Sequence, residues 1–232
     1  MISEKTDAAA AAADVVNVEQ RDAEGHVTER AQFRGGLLNG TTEVFAPNGL
    51  VVQEINFVDG QPEGPMLVHD ANGQILARLT WLAGTLDGPA TIYNDGRVLV
   101  EMTYRLGMLD GEVRRYSSVG ALASTESYRD GRLNGAVTIY RPDGSIMRRM
   151  NYADGLLQDE VADLDERGIV RTHTSFKAGR RDGPMTEYDV DGNPISRTMF
   201  SADRQVGEKQ SLNRNAPRPA TPWYRRPKTG SR

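Results

Sequence analysis

The sequence predicts an all-β protein, a single-layer antiparallel β-meander or solenoid of about seven 24-residue β-hairpin repeats stacked in one dimension. Three observations predict it. Phe33, Phe57, Trp81, Tyr104, Tyr128, Tyr152, Phe176 and Phe200 follow one another at 24, 24, 23, 24, 24, 24 and 24 residues. A second column comes twelve residues after each of the first seven (Phe45, His69, Tyr93, Tyr116, Tyr140, Leu164, Tyr188), so 13 of the 15 aromatics fall in two columns. Glycine keeps the same step: 22 of 24 glycines lie in three columns, which include Gly131, Gly135 and Gly144. With 38% apolar and 6% aromatic residues, this composition argues for many turns and against a thick helix-covered core.

Residues 1–14, "MISEKTDAAAAAAD", read as a disordered or loosely helical leader. Glu4 and Asp7 stand where a secretory signal needs positive charge, and the alanine run is too short for its apolar region. Residues 15–212 form the repeat domain, beginning with a partial unit that ends in the Gly25 turn. Within a unit, "RVLVEMTY" and "SIMRRMNY" alternate as strands do, placing Val98, Val100, Met102 and Tyr104 on one face. Six residues before each aromatic stands Val27, Val51, Ile75, Val98, Leu122, Ile146 or Val170, an apolar ladder across strands. The turns "PNG", "ANG", "NDG", "PDG" and "VDG" place Asn or Asp before glycine, where positive φ is tolerated. The single 23-residue step falls in such a turn, at Tyr93-Asn94-Asp95-Gly96, where losing a residue shortens a loop and leaves every strand face intact. A degenerate unit over 201–212 closes the array, and residues 213–232 are a basic, proline-rich tail expected to be disordered.

The motif aromatic-x-x-Gly-x-x-x-Gly, as in "WLAGTLDG", "YRLGMLDG" and "YRDGRLNG", resembles the MORN repeat, and is closest to the variant form of bacterial antitoxin-like proteins. Near-complete copies run from Phe33 to Phe200. Two departures stand out: the Tyr-x-Gly opening is missing, and Asp87, Asp110, Asn134 and Asp182 precede the second glycine where His is common. The resemblance implies a twisted single-layer sheet and a non-enzymatic antitoxin or immunity protein that neutralises a toxin by binding it, with a cytoplasmic location.

Motif chemistry points the same way. Absent cysteine excludes disulfides and thiolate metal sites. His26, His69 and His173 are scattered without co-ligands, so no metal is expected, and no cofactor motif stands out. Asp189, Asp191 and Gly192 faintly suggest a calcium loop but occupy a hairpin turn. No nucleophile elbow or phosphate loop is visible, so no catalytic residue is expected. No run of about 18 apolar residues spans a membrane.

Two places break the pattern. Between Tyr152 and Ser175, Asp159 replaces the second glycine, Leu164 replaces an aromatic, and Asp159, Glu160, Asp163, Asp165 and Glu166 form an acidic run. That run reads either as a solvated face or as a contact patch for a basic partner. The tail carries Trp223 and Tyr224 beside Arg225 and Arg226, two of its six basic residues, while residues 1–210 hold 22 basic against 32 acidic side chains. It suits docking on an acidic surface or weak contact with anionic membranes, and no nucleic-acid partner is expected. The alternative functions are a structural scaffold or membrane-peripheral adaptor, and a secretion-system accessory or chaperone.

Overall fold

A computed structural model describes residues 14–213, and all the regular structure among them is β-strand. Two compact units divide at Gly88/Pro89. In the first, Val15–Arg21 pairs with Val27–Arg34, and successive antiparallel hairpins continue through Gly40–Phe45, Val51–Val58, Gln61–His69 and Ile75–Leu82. The second repeats the scheme through Arg97–Arg105, Gly111–Tyr116, Leu122–Arg129, Arg132–Tyr140 and Ile146–Ala153. It ends with Asp159–Leu164, Val170–Lys177, Arg180–Tyr188, Pro194–Ser201 and Arg204–Ser211. Each unit is thus an antiparallel meander, as expected.

Two kinds of turn alternate. At one border the turns hold two residues, both at positive φ: Asp59-Gly60, Ala83-Gly84, Leu106-Gly107, Asp130-Gly131, Asp154-Gly155 and Ala178-Gly179. This is the reversal whose twist matches that of the strands it joins. At the other border most loops hold five residues, as between Phe45 and Val51 or Tyr140 and Ile146. The exception is Asp95-Gly96, two residues at positive φ between Gly88–Asn94 and Arg97–Arg105.

The expectation for Asn and Asp in the five-residue loops needs correcting. There they are not at positive φ and the glycine alone is; Asp95, in the two-residue turn, is at positive φ. Their side chains instead accept backbone hydrogen bonds: Asn48 Oδ1 from Leu50 N at 3.1 Å and Asp143 Oδ1 from Ser145 N at 2.8 Å. Asp70 Oδ1 caps its loop twice, from Asn72 N and Gln74 N at 2.9 and 2.8 Å.

The second glycine column is not part of a turn either. Gly135 lies inside Arg132–Tyr140, where the register slips between Glu126 and Tyr128, a β-bulge. Its φ is +115°, and a Cβ added there would stand 3.1 Å from the Ser127 Cβ. Only a residue without a side chain fits that backbone without displacing its neighbour. The bulge then sets Gly135 opposite Tyr152, as Gly40 is set opposite Phe57 and Gly64 opposite Trp81.

Residues just before that glycine stitch hairpin to hairpin. Asn39 donates to Asp59 Oδ1, Asn134 donates to Asp154 Oδ1, and Glu63 and Gln158 accept from the backbone N–H of Ala83 and Ala178. Asp182 accepts likewise from Ala202 N at 3.3 Å. An amide or carboxylate at this position therefore ties down the first residue of the next two-residue turn.

Directly opposed residues share a face, so the registers sort the side chains. One face of each unit, the front, carries the first aromatic column and a central row. In the first unit this row runs Thr42, Ile55, Met66 and Leu79; in the second, Val113, Glu126, Val137 and Met150, then Val161, Thr174, Met185 and Thr198. Ile55, Val113, Val137 and Val161 are buried by these neighbours. The other face, the back, carries the second aromatic column, opposite the apolar ladder: Phe45 against Val51, Tyr140 against Ile146 and Leu164 against Val170.

Glu187 and the loop aspartates give the fold its acid sensitivity. The Lys209 ammonium, then the Ser196 hydroxyl, hold the Glu187 carboxyl below the usual range; for Asp70 the Gln74 backbone N–H is the main cause. Folded values that are depressed give stability that is complete above the unfolded values and is lost as pH falls through the folded ones. Stability is therefore expected to stay level from neutrality down to about pH 5 and to fall below about pH 4. Circular dichroism melts across pH check this, and the D70N/E187Q variant should show the shallower acid slope.

Candidate functional site

The acidic run does not form one patch. Strand alternation sends Glu160 and Asp163 to opposite faces, because Asp163 pairs with Arg148 and Thr172 in the front while Ala162, next to it, faces His173 on the back. Asp163 accepts from Arg148 Nε at 2.5 Å and from Thr172 Oγ1 at 2.7 Å. Glu160 lies 3.1 Å from Nε2 of the buried His173. Asp159 takes the place of a bulge glycine at φ 65°, with Asn151 donating to its carboxylate at 3.0 Å. Asp165 caps its loop from Arg167 N and Ile169 N and pairs with Arg171 at 2.9 Å. Desolvation opposes that cap, yet the Ile169 N–H and the Arg171 charge leave the Asp165 carboxyl below its ordinary value. Glu166 is exposed in the same loop.

Four of the five acids thus have partners within the sheet. Asp165→Lys is expected to lower the melting temperature, whereas Glu166→Lys leaves it unchanged. At Asp159 the bulge favours glycine, so Asp159→Gly should alter stability by no more than about 0.5 kcal/mol, as denaturant titration would show. This segment also contributes to the core. Ala162 and Val170 are buried together, with Leu164 and Tyr188 against them, so Leu164 fills a real core position.

Asp189 Oδ1 accepts from Asp191 N and Asn193 N at 2.9 and 2.8 Å, the same loop cap as Asp70 and Asp165. Trp223, Tyr224, Arg225 and Arg226 lie outside the described residues.

Two surfaces invisible in the linear sequence remain, both at the border of two-residue turns. In the first unit, the back-face residues flanking those turns are Arg34 and Leu37, Val58 and Gln61, and Leu82 and Thr85. Leu37, Val58 and Leu82 are 52%, 46% and 54% exposed. In the second unit the corresponding pairs are Arg105–Met108, Arg129–Arg132, Ala153–Leu156, Lys177–Arg180 and Ser201–Arg204. Here apolar side chains give way largely to cations.

No protein-family model matches this chain. No curated protein matches it either. Among solved structures, a GtfA/B complex bound to UDP and GlcNAc matches 50% of this chain and 22% of that one, at 16% identity and a TM-score of 0.23. A TcdB2-TccC3-Cdc42 complex matches 80% of this chain and 12% of that one, at 13% identity and a TM-score of 0.23. A Photorhabdus luminescens Tc holotoxin pore matches at 13% identity and a TM-score of 0.17. The chain spans less than a quarter of the length of each of these structures. Similarity of this extent assigns neither a family nor an activity.

Proposed function

We propose that this chain is a non-enzymatic binding protein of the MORN-repeat kind, built of about seven 24-residue hairpin units, whose sheet surface engages another protein. Within that role we read it as a cytoplasmic antitoxin or immunity protein that neutralises a toxin by covering it. The observation that carries the binding role is the row of half-exposed Leu37, Val58 and Leu82, three large apolar side chains at matching strand ends on one face. Aligned apolar groups left in water favour a protein contact that removes them from it. Strand pairing holds the row in place, so little ordering cost opposes binding.

The test begins with affinity capture on the full-length tagged chain, followed by reconstitution with the purified candidate partner. The L37E/V58E/L82E variant should keep its circular dichroism spectrum and lose binding at least tenfold. Co-expression should relieve growth inhibition by the partner. A variant that binds as well as the parent would overturn the surface, and a harmless partner would overturn the antitoxin reading.

A further inference from the structure

The second unit gathers cations into one row of its back face, with Glu112 and Glu160 standing on that face one row further from the turns. On the front, the charged groups neutralise one another: Arg115 with Glu126, Arg148 with Asp163 and Lys209 with Glu187. On the back, the row beside the two-residue turns holds ten positions, of which Arg105, Arg129, Arg132, Lys177, Arg180 and Arg204 are cationic and none is acidic. All six are exposed. Four residues further from the turns, Arg149 and Arg197 stand on the same face, in the row that runs from Arg114 to Gln210.

Two features of the row run against stability. Arg129 lies directly opposite Arg132, and Lys177 directly opposite Arg180. Like charges facing each other across strands repel. Arg105 is relieved by Asp110 at 2.6 Å, but Arg129, Arg132 and Lys177 form no ion pair with any described residue. Arg180 has only the longer-range field of Asp203.

We propose that this row docks an acidic segment of a protein partner, laid across the strands from Arg129 to Arg180. The inference rests on the protein-binding reading and names the partner's chemistry. Five strand-to-strand steps separate the two residues, about 24 Å at the usual strand spacing, so about eight residues of extended chain would cover them. Nucleic acid suits the row less well. Two tyrosines on this face are packed rather than displayed, since Tyr116 donates to Glu101 and Tyr188 lies against Ala162 and Val170. They offer no platform for stacked bases.

A fluorescent dodecaglutamate peptide titrated onto the full-length chain tests this, with a twelve-residue oligothymidylate and phosphatidylserine vesicles in parallel. Reversing either pair (R129E/R132E or K177E/R180E) should weaken peptide binding at least tenfold and flatten its salt dependence. The R21E/R97E variant, with the same change in net charge at exposed positions away from both rows, should bind as the parent does, and melting curves confirm that all three fold. Equal weakening by R21E/R97E, no saturable peptide binding, or tighter binding of oligothymidylate or vesicles than of peptide overturns the proposal. If a reconstituted partner binds R129E/R132E unchanged but fails to bind L37E/V58E/L82E, the docking row falls and the binding role stands.

Discussion

Replacing Gly183 with valine is expected to destabilise the protein by about 3 kcal/mol, among the largest effects of any single surface-strand change. Gly183 sits in a bulge at φ +114°, and a Cβ there would meet the Ser175 Cβ at 3.0 Å. Both contributions act at once: a branched side chain at positive φ, and an overlap with a backbone-anchored neighbour that has no rotamer to escape into. Gly144, at φ +83° in a five-residue loop, has nothing within 4 Å of its added Cβ. Gly144→Ala should therefore cost only the left-handed backbone, about 1 kcal/mol. Denaturant titration of the two variants separates them, and equal costs would remove the bulge from the account.

Removing Glu126 is the second large effect. Its carboxylate stands in the central front row between Val113 and Val137, accepting from Arg115 Nε at 3.0 Å, Ser124 Oγ at 2.9 Å and Tyr128 OH at 3.1 Å. Partial burial, then the Glu126 charge, push the Tyr128 hydroxyl up, while the hydrogen bond to Glu126 does the same for Arg115. Glu126→Leu leaves the Ser124 and Tyr128 hydroxyls without their acceptor and the Arg115 guanidinium without its counter-charge; with Arg115 45% exposed and screened by water, the cost should be about 1–2 kcal/mol. Changing both partners, R115L/E126L, should restore most of that loss, because the row on either side is already apolar. A double variant as unstable as the sum of the singles would mean that the two side chains act independently.

The meander was legible because its signals are local. Glycine before a strand restart, an alternating run such as "RVLVEMTY" and an aromatic at a fixed step each constrain a few neighbouring residues. The bulge was not legible, since Gly135 looks like any turn glycine until the register slips beside it. Leu106, Ala83 and Ala178 at positive φ gave no warning either. A two-residue reversal fixes its first residue's conformation whatever that residue is, and the bond from the preceding hairpin secures it at Ala83 and Ala178.

Charge was misleading in both directions. "QDEVADLDERG" is continuous in sequence, yet alternation and loop capping distribute its acids over two faces and a turn. Arg129 and Arg180 are 51 positions apart, yet strand pairing sets them in one row. Linear runs show charge only along a strand, whereas a sheet displays it across strands.

The most direct measurement of where this protein binds is site-specific photo-crosslinking to the reconstituted partner. A photoreactive residue is placed in turn at Val58, Leu82, Glu166 and Trp223. Crosslinks from Val58 and Leu82, with none from Glu166, are the predicted result. Crosslinks confined to Glu166 or Trp223 would contradict the sheet surface as the binding site.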